Sequence, residues 1–521
     1  MVDAHPTREN IEKRIYKILS SLENKEVVKT SEFLKYISIK KPFDPRFTYP
    51  KESMIKSLIL MKLKGIKSQT KLSKHLNENE EDASNLDFYR SVNNKILVPD
   101  QRTFSYFINK LTKEEKELID FIVNKTEDIA QKFGIIFDVE TLKPESKEKA
   151  TKRTLHNRKE KKLRELCRFI RKNIYPHIGF CLRHNAVYKK EDFLNLLTYV
   201  AMTHDFTENG SKTYRRLNEK KSPTADTLLY HISKYEDKEA VQRMFKDAFD
   251  IMYKTAISSG ILDNRKRVDL AIDFTEWFYY GDKNDDMVVG KKPERGTTYC
   301  YKFASINVVE FGKRITLLVL PIGKLTQKEN IIRELLVYAK NKVKIKKLYV
   351  DRYFFSINMI NLLKEFGVTF LMPAVRNPEV RRLMKVTPAP MVINEYQMGT
   401  GEKKTNFNLV MLEKDKKKLV FATNMDINQN DINLINKLPE LYAKRWGIET
   451  SYRMKKEFRA KTTSKNYVIR LFYFLYSTLL YNLWIIIDSL ISLHLFGELK
   501  DEHFVTSKIF GTVLYTLSYV T

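Results

Sequence analysis

Apolar residues recur at helical spacing through roughly the first 135 positions. Between Glu52 and Lys64 the set Met54, Ile55, Leu58, Ile59, Met61 and Leu63 predicts a helix. Ser68 to Leu76 reads as the short helix of a helix-turn-helix. Pro99-Asp-Gln-Arg-Thr-Phe-Ser-Tyr-Phe-Ile then opens another helix, with proline in its first turn. A weak echo follows 124 residues later in Pro223-Thr-Ala-Asp-Thr-Leu-Leu-Tyr-His-Ile, and Ser211 to Asn218 echoes Ser68 to Asn77. The pattern predicts two helical modules of similar logic, 1–135 and 176–262. Between them lies a basic arm, 136–175, in which Leu142 to Tyr175 holds 13 lysines and arginines against 4 glutamates. Its later part, Lys159 to Lys172, reads as an exposed helix with Leu163, Leu166, Phe169 and Ile170 along its apolar edge.

From Arg267 the period changes to that of a strand. Val268, Leu270 and Ile272 alternate with Asp269, Ala271 and Asp273, so the two aspartates share a face. A polar loop, Gly281 to Gly296, leads to Tyr299–Phe311 and Arg314–Pro321, a hairpin turning at Gly312-Lys313. A helix (Ile331–Lys340), a short strand running into Asp351, a helix (Ile357–Phe366) and a strand (Val368–Pro373) complete a β-β-β-α-β-α-β succession. This predicts an α/β domain in two parts, 263–375 and 431–495, and a short tail, 496–521. A β-rich insertion, 376–430, would separate the parts, with Asn406–Leu412 and Lys418–Thr423 as paired strands. Leu471 to Ile487 carries no charge, but it falls short of the roughly 20 residues of a membrane span. Its Tyr, Ser, Thr and Asn482 fit a buried core helix, so no membrane partner is expected.

Composition narrows the partner. The chain of 521 residues is long enough for about three or four domains. Its 93 Lys+Arg against 64 Asp+Glu give a net charge of +29, and 43% hydrophobic content excludes wholesale disorder. That excess sits on a folded body and points to a polyanion, most simply nucleic acid; charge alone does not separate DNA, RNA or an anionic membrane surface. Cys167, Cys181 and Cys300 make no disulfide framework. Cys181-x-x-His184 lacks a second tight pair, which weighs against zinc. The start lacks a signal-peptide core, so the expectation is a soluble, cytoplasmic protein.

The chemistry centres on Tyr442-Ala-Lys-Arg-Trp-Gly-Ile-Glu-Thr-Ser-Tyr-Arg-Met-Lys-Lys. On one continuous helix Tyr442, Arg445, Glu449 and Lys456 fall within about 60° of one another. A solvated ion pair between Arg445 and Glu449, worth a few tenths of a kcal/mol, accounts for that spacing. So does a metal-binding Glu449 flanked by phosphate-holding cations, provided further carboxylates stand at strand ends. Asp273 and Asp351 supply them. Cutting a phosphodiester requires an activated water or 3′-hydroxyl and a stabilised leaving oxygen. Two hard divalent ions ~4 Å apart, held by carboxylates, provide both. Asp269, Glu276 and Asp282 compete with Asp273, and Asp351-Arg352 reads equally as a strand-end ion pair.

Taken together, the pattern resembles the DDE transposases of insertion sequences, specifically the insertion-sequence-four-like group with its Tyr-Arg-Glu-Lys signature. Tyr442, Arg445, Glu449 and Lys456 match that signature at every spacing. Ala271-Ile-Asp273 and Leu348-Tyr-Val-Asp351-Arg352 are similar to its aspartate strands, and Phe421-Ala-Thr-Asn424 to the end of its β insertion. Asn482-Leu-Trp484 is similar to the apolar helix that follows the glutamate, and residues 43–110 resemble the helical N-terminal region of related transposases. The resemblance implies an RNase H-like catalytic domain interrupted by the β-rich insertion and preceded by α-helical DNA-binding modules. It implies Asp273, Asp351 and Glu449 as catalytic ligands of two Mg²⁺ or Mn²⁺ ions, and Tyr442, Arg445, Lys456 and Arg352 as DNA contacts. The implied partners are double-stranded terminal inverted repeats, target DNA and a second copy of the chain in a homodimer. The implied setting is a prokaryotic, nucleoid-associated protein performing cut-and-paste strand transfer. Trp277, Trp446 and Trp484 all lie outside 376–430, where some members place a hairpin-stacking tryptophan; Tyr396 and Phe407 are the aromatic candidates there. A non-catalytic DNA-binding protein and a metal-dependent nuclease without strand transfer are the rival readings.

Overall fold

The computed structural model describes residues 7–22, 27–39, 48–91, 93–139, 152–218, 222–235, 237–310, 313–415 and 417–517. They fall into two compact units. One comprises Met1–Pro176, Asp250–Leu262 and Leu493–Glu498; the other comprises His177–Phe249, Asp263–Ser492 and Leu499–Thr521.

The first unit is helical. The helix Lys51–Lys64 ends at Gly65, whose φ of 69° permits the left-handed closing turn. Ser68 then caps Gln69–Glu78 by accepting from Lys71 N, and Asp100 caps Gln101–Lys110 through Thr103 N. Apolar residues from these helices, among them Ile55, Ile59, Leu72, Phe104 and Phe107, share one core. Beside it Lys64, only 1% exposed, pairs with Asp82 at 2.8 Å and Asp138 at 2.6 Å. Residues 140–151 of the basic arm lie outside the described residues. Its helix, Lys152–Asn173, buries Leu163, Leu166, Cys167 and Ile170 and exposes Lys161, Arg164 and Arg168. Lys172 pairs with Glu127, so this segment is a packed element of the unit with one basic face.

The second unit holds a sheet of nine strands: β1 (Arg267–Tyr279), β2 (Val288–Glu294), β3 (Thr297–Glu310), β4 (Lys313–Ile322), β5 (Lys344–Val350), β6 (Phe370–Pro373), β7 (Met391–Thr400), β8 (Lys403–Lys414) and β9 (Lys417–Thr423). The order is β2-β3-β1-β5-β6-β9-β8-β7, and β4 pairs with β3 beyond the end of β2. β1 runs antiparallel to β3 and parallel to β5, giving a mixed sheet flanked by helices. One expectation changes here. The polar loop Gly281–Gly296 contains β2, an edge strand whose Gly290 and Pro293 obscured its period. The strands β8 and β9 pair with each other, β7 pairs with β8, and β9 pairs with β6, which carries all three onto the same ladder. The hairpin turn expected at Gly312 lies outside the described residues; the tail contains a helix, Ser507–Thr516.

The module Thr207–Asn218 and Ala225–Ser233 belongs to this second unit, the latter helix capped by Thr224 as Asp100 caps its echo. The apolar helix runs from Tyr467 to Phe496. It is long and apolar enough to cross a membrane, but 78% of its most apolar window is buried inside the protein. Phe474 stacks on Phe303 of β3 with centroids 3.9 Å apart. Asn482, fully buried, accepts from Thr316 N at 3.0 Å and donates to Thr316 O at 2.8 Å. Those bonds satisfy β4 where it bulges: Ile306 faces Leu318 and Asn307 faces Thr316, leaving Leu317 as the extra residue. Replacing Asn482 by leucine would strand two buried backbone groups, at about 1–3 kcal/mol each.

Candidate active site

The register of the sheet brings two of the three carboxylates together. Asp273 lies in mid-strand opposite Ser305 of β3, one residue beyond the last β1–β5 pair, Ile272–Val350. β5 stops at Val350, so Asp351 emerges next to it and caps the turn Arg352–Phe354 by accepting from Tyr353 N at 2.9 Å. The third carboxylate arrives from a helix, but not the continuous one expected. Ile432–Ala443 ends, Lys444-Arg445 make a turn, and a second helix, Trp446–Lys456, begins with Glu449 in its first turn. Tyr442 therefore belongs to the preceding helix, and the single stripe is broken.

At that break Arg445 is driven into the site. Nη1 meets Asp273 Oδ2 at 3.0 Å, while Nη2 meets Glu449 Oε1 at 2.9 Å and Asp351 Oδ2 at 3.5 Å. Side-chain exposure rises from 6% at Arg445 through 16% at Asp273 and 38% at Asp351 to 63% at Glu449. Burial pushes the Asp273 carboxyl up to about 6; Arg445 and the Phe274 N–H oppose this, while Asp351 and Glu449 add to it. Burial also works against the Arg445 charge, but the Tyr442 ring and the carboxylates outweigh it and raise its pKa. The partners of Arg445 are thus the three carboxylates, Glu449 among them at the i,i+4 spacing.

The competing acids are engaged elsewhere. Asp269 is buried, pairs with Lys444 at 2.5 Å and accepts from Tyr349 Oη at 3.0 Å. Glu276 faces Lys291 and Lys302 at 3.5 and 3.8 Å, and Asp282 accepts from Asn284 in an exposed loop. Tyr442 is buried with its ring 5.4 Å below the Arg445 guanidinium, and burial pushes its phenol well above the usual range. Lys456 is exposed at the end of its helix; its pKa is lowered by partial burial and by Arg459 and Arg295 nearby. Arg352 is exposed, and with Asp351, Arg376, Lys417, Tyr442 and Arg445 it lines a cleft of about 670 Å³. The lining also includes Lys414, Asp415 and Glu440, so five cations stand against three carboxylates, a balance that suits a phosphodiester. Tyr396 and Phe407 do not suit stacking on a base: they are 6% and 2% exposed, with rings 5.4 Å apart in the core.

Sequence reasoning missed Lys444, which neutralises Asp269, and Arg459, whose guanidinium lies 4.0 Å from the Trp277 ring. It also gave no role to Tyr452, whose hydroxyl donates to the Asp273 carbonyl at 3.0 Å. An aromatic at helical spacing looks like any core residue, so no local signal marked it.

Residues 266–483 match the family model described as the transposase DDE domain. The chain carries a DDE-transposase-family domain. Among solved structures it is similar to a piggyBac transposase synaptic complex with hairpin DNA, seen by cryo-EM, at 15% identity and a TM-score of 0.45; the match covers 65% of this chain and 74% of that one. No curated protein matches. The DDE family implies metal-dependent chemistry, and the three carboxylates lie inside the matched span. Among the described residues no three acidic, histidine or cysteine side chains form a ready metal cage. The donors nonetheless fit a hard cation: all are carboxylate oxygens, all reach one guanidinium, and three ionised acids around one Arg leave a net charge of −2.

Proposed function

We propose that the chain is the transposase of an insertion sequence of the insertion-sequence-four-like group, binding terminal inverted repeats and performing metal-dependent cleavage and strand transfer. The observation that carries this reading is the convergence of Asp273, Asp351 and Glu449 on one cation beside the end of the central strand β5, within a transposase DDE domain. Asp273, Asp351 and Glu449 would hold Mg²⁺ or Mn²⁺. Bound there, two such ions would lower the pKa of an attacking water and stabilise the leaving oxygen.

The protein's own groups set the conditions for that chemistry. Asp273, at the buried end, fixes the innermost donor, while Glu449, paired with Arg445 but largely exposed, stands on the solvent side where substrate would arrive. Arg445 balances the carboxylates before substrate arrives, and Tyr442 covers its other side against solvent. Arg352, Lys456 and Arg459 surround this end of the sheet with positive charge for the DNA backbone. Cleavage joins a water oxygen to phosphorus and frees a 3′-hydroxyl. Strand transfer then joins that 3′-oxygen to a target phosphorus and frees a target 3′-hydroxyl. A second copy of the chain on the paired end completes the assembly.

Footprinting on the DNA flanking the reading frame tests the reading. Protection of matching inverted repeats bracketed by a short direct duplication supports it. Uniform protection without preference for those ends would leave a non-specific DNA-binding protein.

A further inference from the structure

A line of buried polar side chains crosses the apolar centre of the second unit and ends on the Asp273 backbone. Thr316 Oγ1 donates to Asn307 Oδ1 at 2.7 Å, and Asn307 Nδ2 donates to Ser305 Oγ at 2.9 Å. Ser305 Oγ lies 2.6 Å from Tyr452 Oη, which donates to Asp273 O at 3.0 Å. Asn482 closes the other end on both backbone groups of Thr316. Asn482, Thr316 and Asn307 are fully buried, Ser305 is 1% exposed and Tyr452 9%.

The direction of each bond follows from the inventory of protons. Tyr452 has one hydroxyl proton and spends it on Asp273 O, so Ser305 must donate to Tyr452 and accept from Asn307. From Thr316 Oγ1 onward every link therefore points the same way, towards the Asp273 backbone, and aligned bonds in a low-dielectric core reinforce one another. Such groups are costly to bury without a return, since apolar residues of the same size would fill the space. The line also joins the elements that must keep register: the apolar helix, β4 at its bulge, β3, the Glu449 helix and β1. Tyr452 sits less than one turn from Glu449 on one side and bonds the Asp273 carbonyl on the other, so it spans the two carboxylate-bearing elements.

We propose that Tyr452, oriented by Ser305 and Asn307, is a positioning residue that fixes Asp273 relative to Glu449 for cation binding. The inference rests on the reading of those carboxylates as metal ligands. It is distinct from packing: the Tyr452 ring fills space, whereas its hydroxyl sets the distance between the strand and the helix.

The test measures Mn²⁺ affinity from the metal dependence of melting on the full chain, for Tyr452→Phe, Ser305→Ala and Asp273→Asn. Tyr452→Phe keeps the ring, and Ser305→Ala keeps Tyr452 whole should the first variant fold poorly. Loss of a partner bonded to a ligating group itself weakens metal binding about 10–100-fold, and Tyr452 acts one step further out, through the Asp273 backbone, so about tenfold is expected. We expect that loss in Tyr452→Phe, a loss in the same direction in Ser305→Ala, and a larger one in Asp273→Asn. Wild-type Mn²⁺ affinity in both hydroxyl variants, with affinity lost in Asp273→Asn, overturns the positioning role alone. Wild-type affinity in Asp273→Asn overturns the metal reading beneath it.

Discussion

Arg445→Gln removes the cation that Asp273, Asp351 and Glu449 share and leaves a shorter, neutral polar side chain in its place. The contributions differ by exposure. Glu449 and Asp351 are 63% and 38% exposed, so each surface-like pair contributes about 0–1 kcal/mol. Asp273 is 16% exposed, and breaking a buried pair costs about 3–5 kcal/mol. The loss at neutral pH should therefore be about 3 kcal/mol, concentrated at Asp273. Its pH dependence has a definite sign. The folded carboxyl is already raised to about 6, above its unfolded value, so the folded state binds the extra proton. Stability then falls as pH rises from about 4 through 6, and removing Arg445 carries that fall to higher pH. Divalent cation should act in the opposite direction, because three acids without an arginine make a stronger site. At free Mg²⁺ about a hundredfold above Kd the gain is about 2.7 kcal/mol, close to what the substitution removes. Melting temperature measured against pH and Mg²⁺ reads all three effects. If Arg445→Gln melts like the wild type at neutral pH, and Mg²⁺ moves both equally, the guanidinium does not compensate these carboxylates.

Two further outcomes follow from other parts of the chain. Neutralising Lys161, Arg164 and Arg168 together should flatten the log–log salt dependence of duplex binding by about 0.9 for each phosphate the protein no longer neutralises; an unchanged slope makes that face mere solvated surface. Asp82→Asn should destabilise the helical unit by about 3 kcal/mol, since it leaves buried Lys64 short of one partner. Although burial opposes it, hydrogen bonds from His75 and Lys64 hold the Asp82 carboxyl well below the usual range. That contribution is present above about pH 4 and lost as pH falls further, so the difference between wild type and variant in chemical denaturation should shrink in acid.

The sequence made the sheet's central strands and the helical modules legible because burial imposes a period on them. Val268, Leu270 and Ile272 mark β1, and the short run into Asp351 marks β5. β2 left no such mark because a polar edge strand buries little. The joining of β9 to β6 was invisible for another reason: the pairing links residues about 50 apart, and no local pattern encodes a partner. The candidate site was legible as residue types at spacings, but its geometry was not. Arg445 and Glu449 read as an i,i+4 pair on one surface helix, whereas the turn at Lys444-Arg445 sends the guanidinium inward to meet Asp273. Asp269 could not be set aside until Lys444 and Tyr349 were seen to occupy it.

The three carboxylates are the heart of the proposed chemistry, and joining, not binding, is what they would perform. Duplexes ending in the inverted repeats of the flanking DNA, incubated with Mg²⁺ and a target plasmid, can be sequenced across any junction formed. The wild type should cut at the repeat ends and join their 3′-ends to the target. Asp273→Asn should bind the same duplex with unchanged affinity yet neither cut nor join, because the lost ligand stabilises the transition state by several kcal/mol and touches no DNA. Junctions formed by Asp273→Asn at the wild-type rate, or wild-type ends that are cut but never joined, would contradict the assignment.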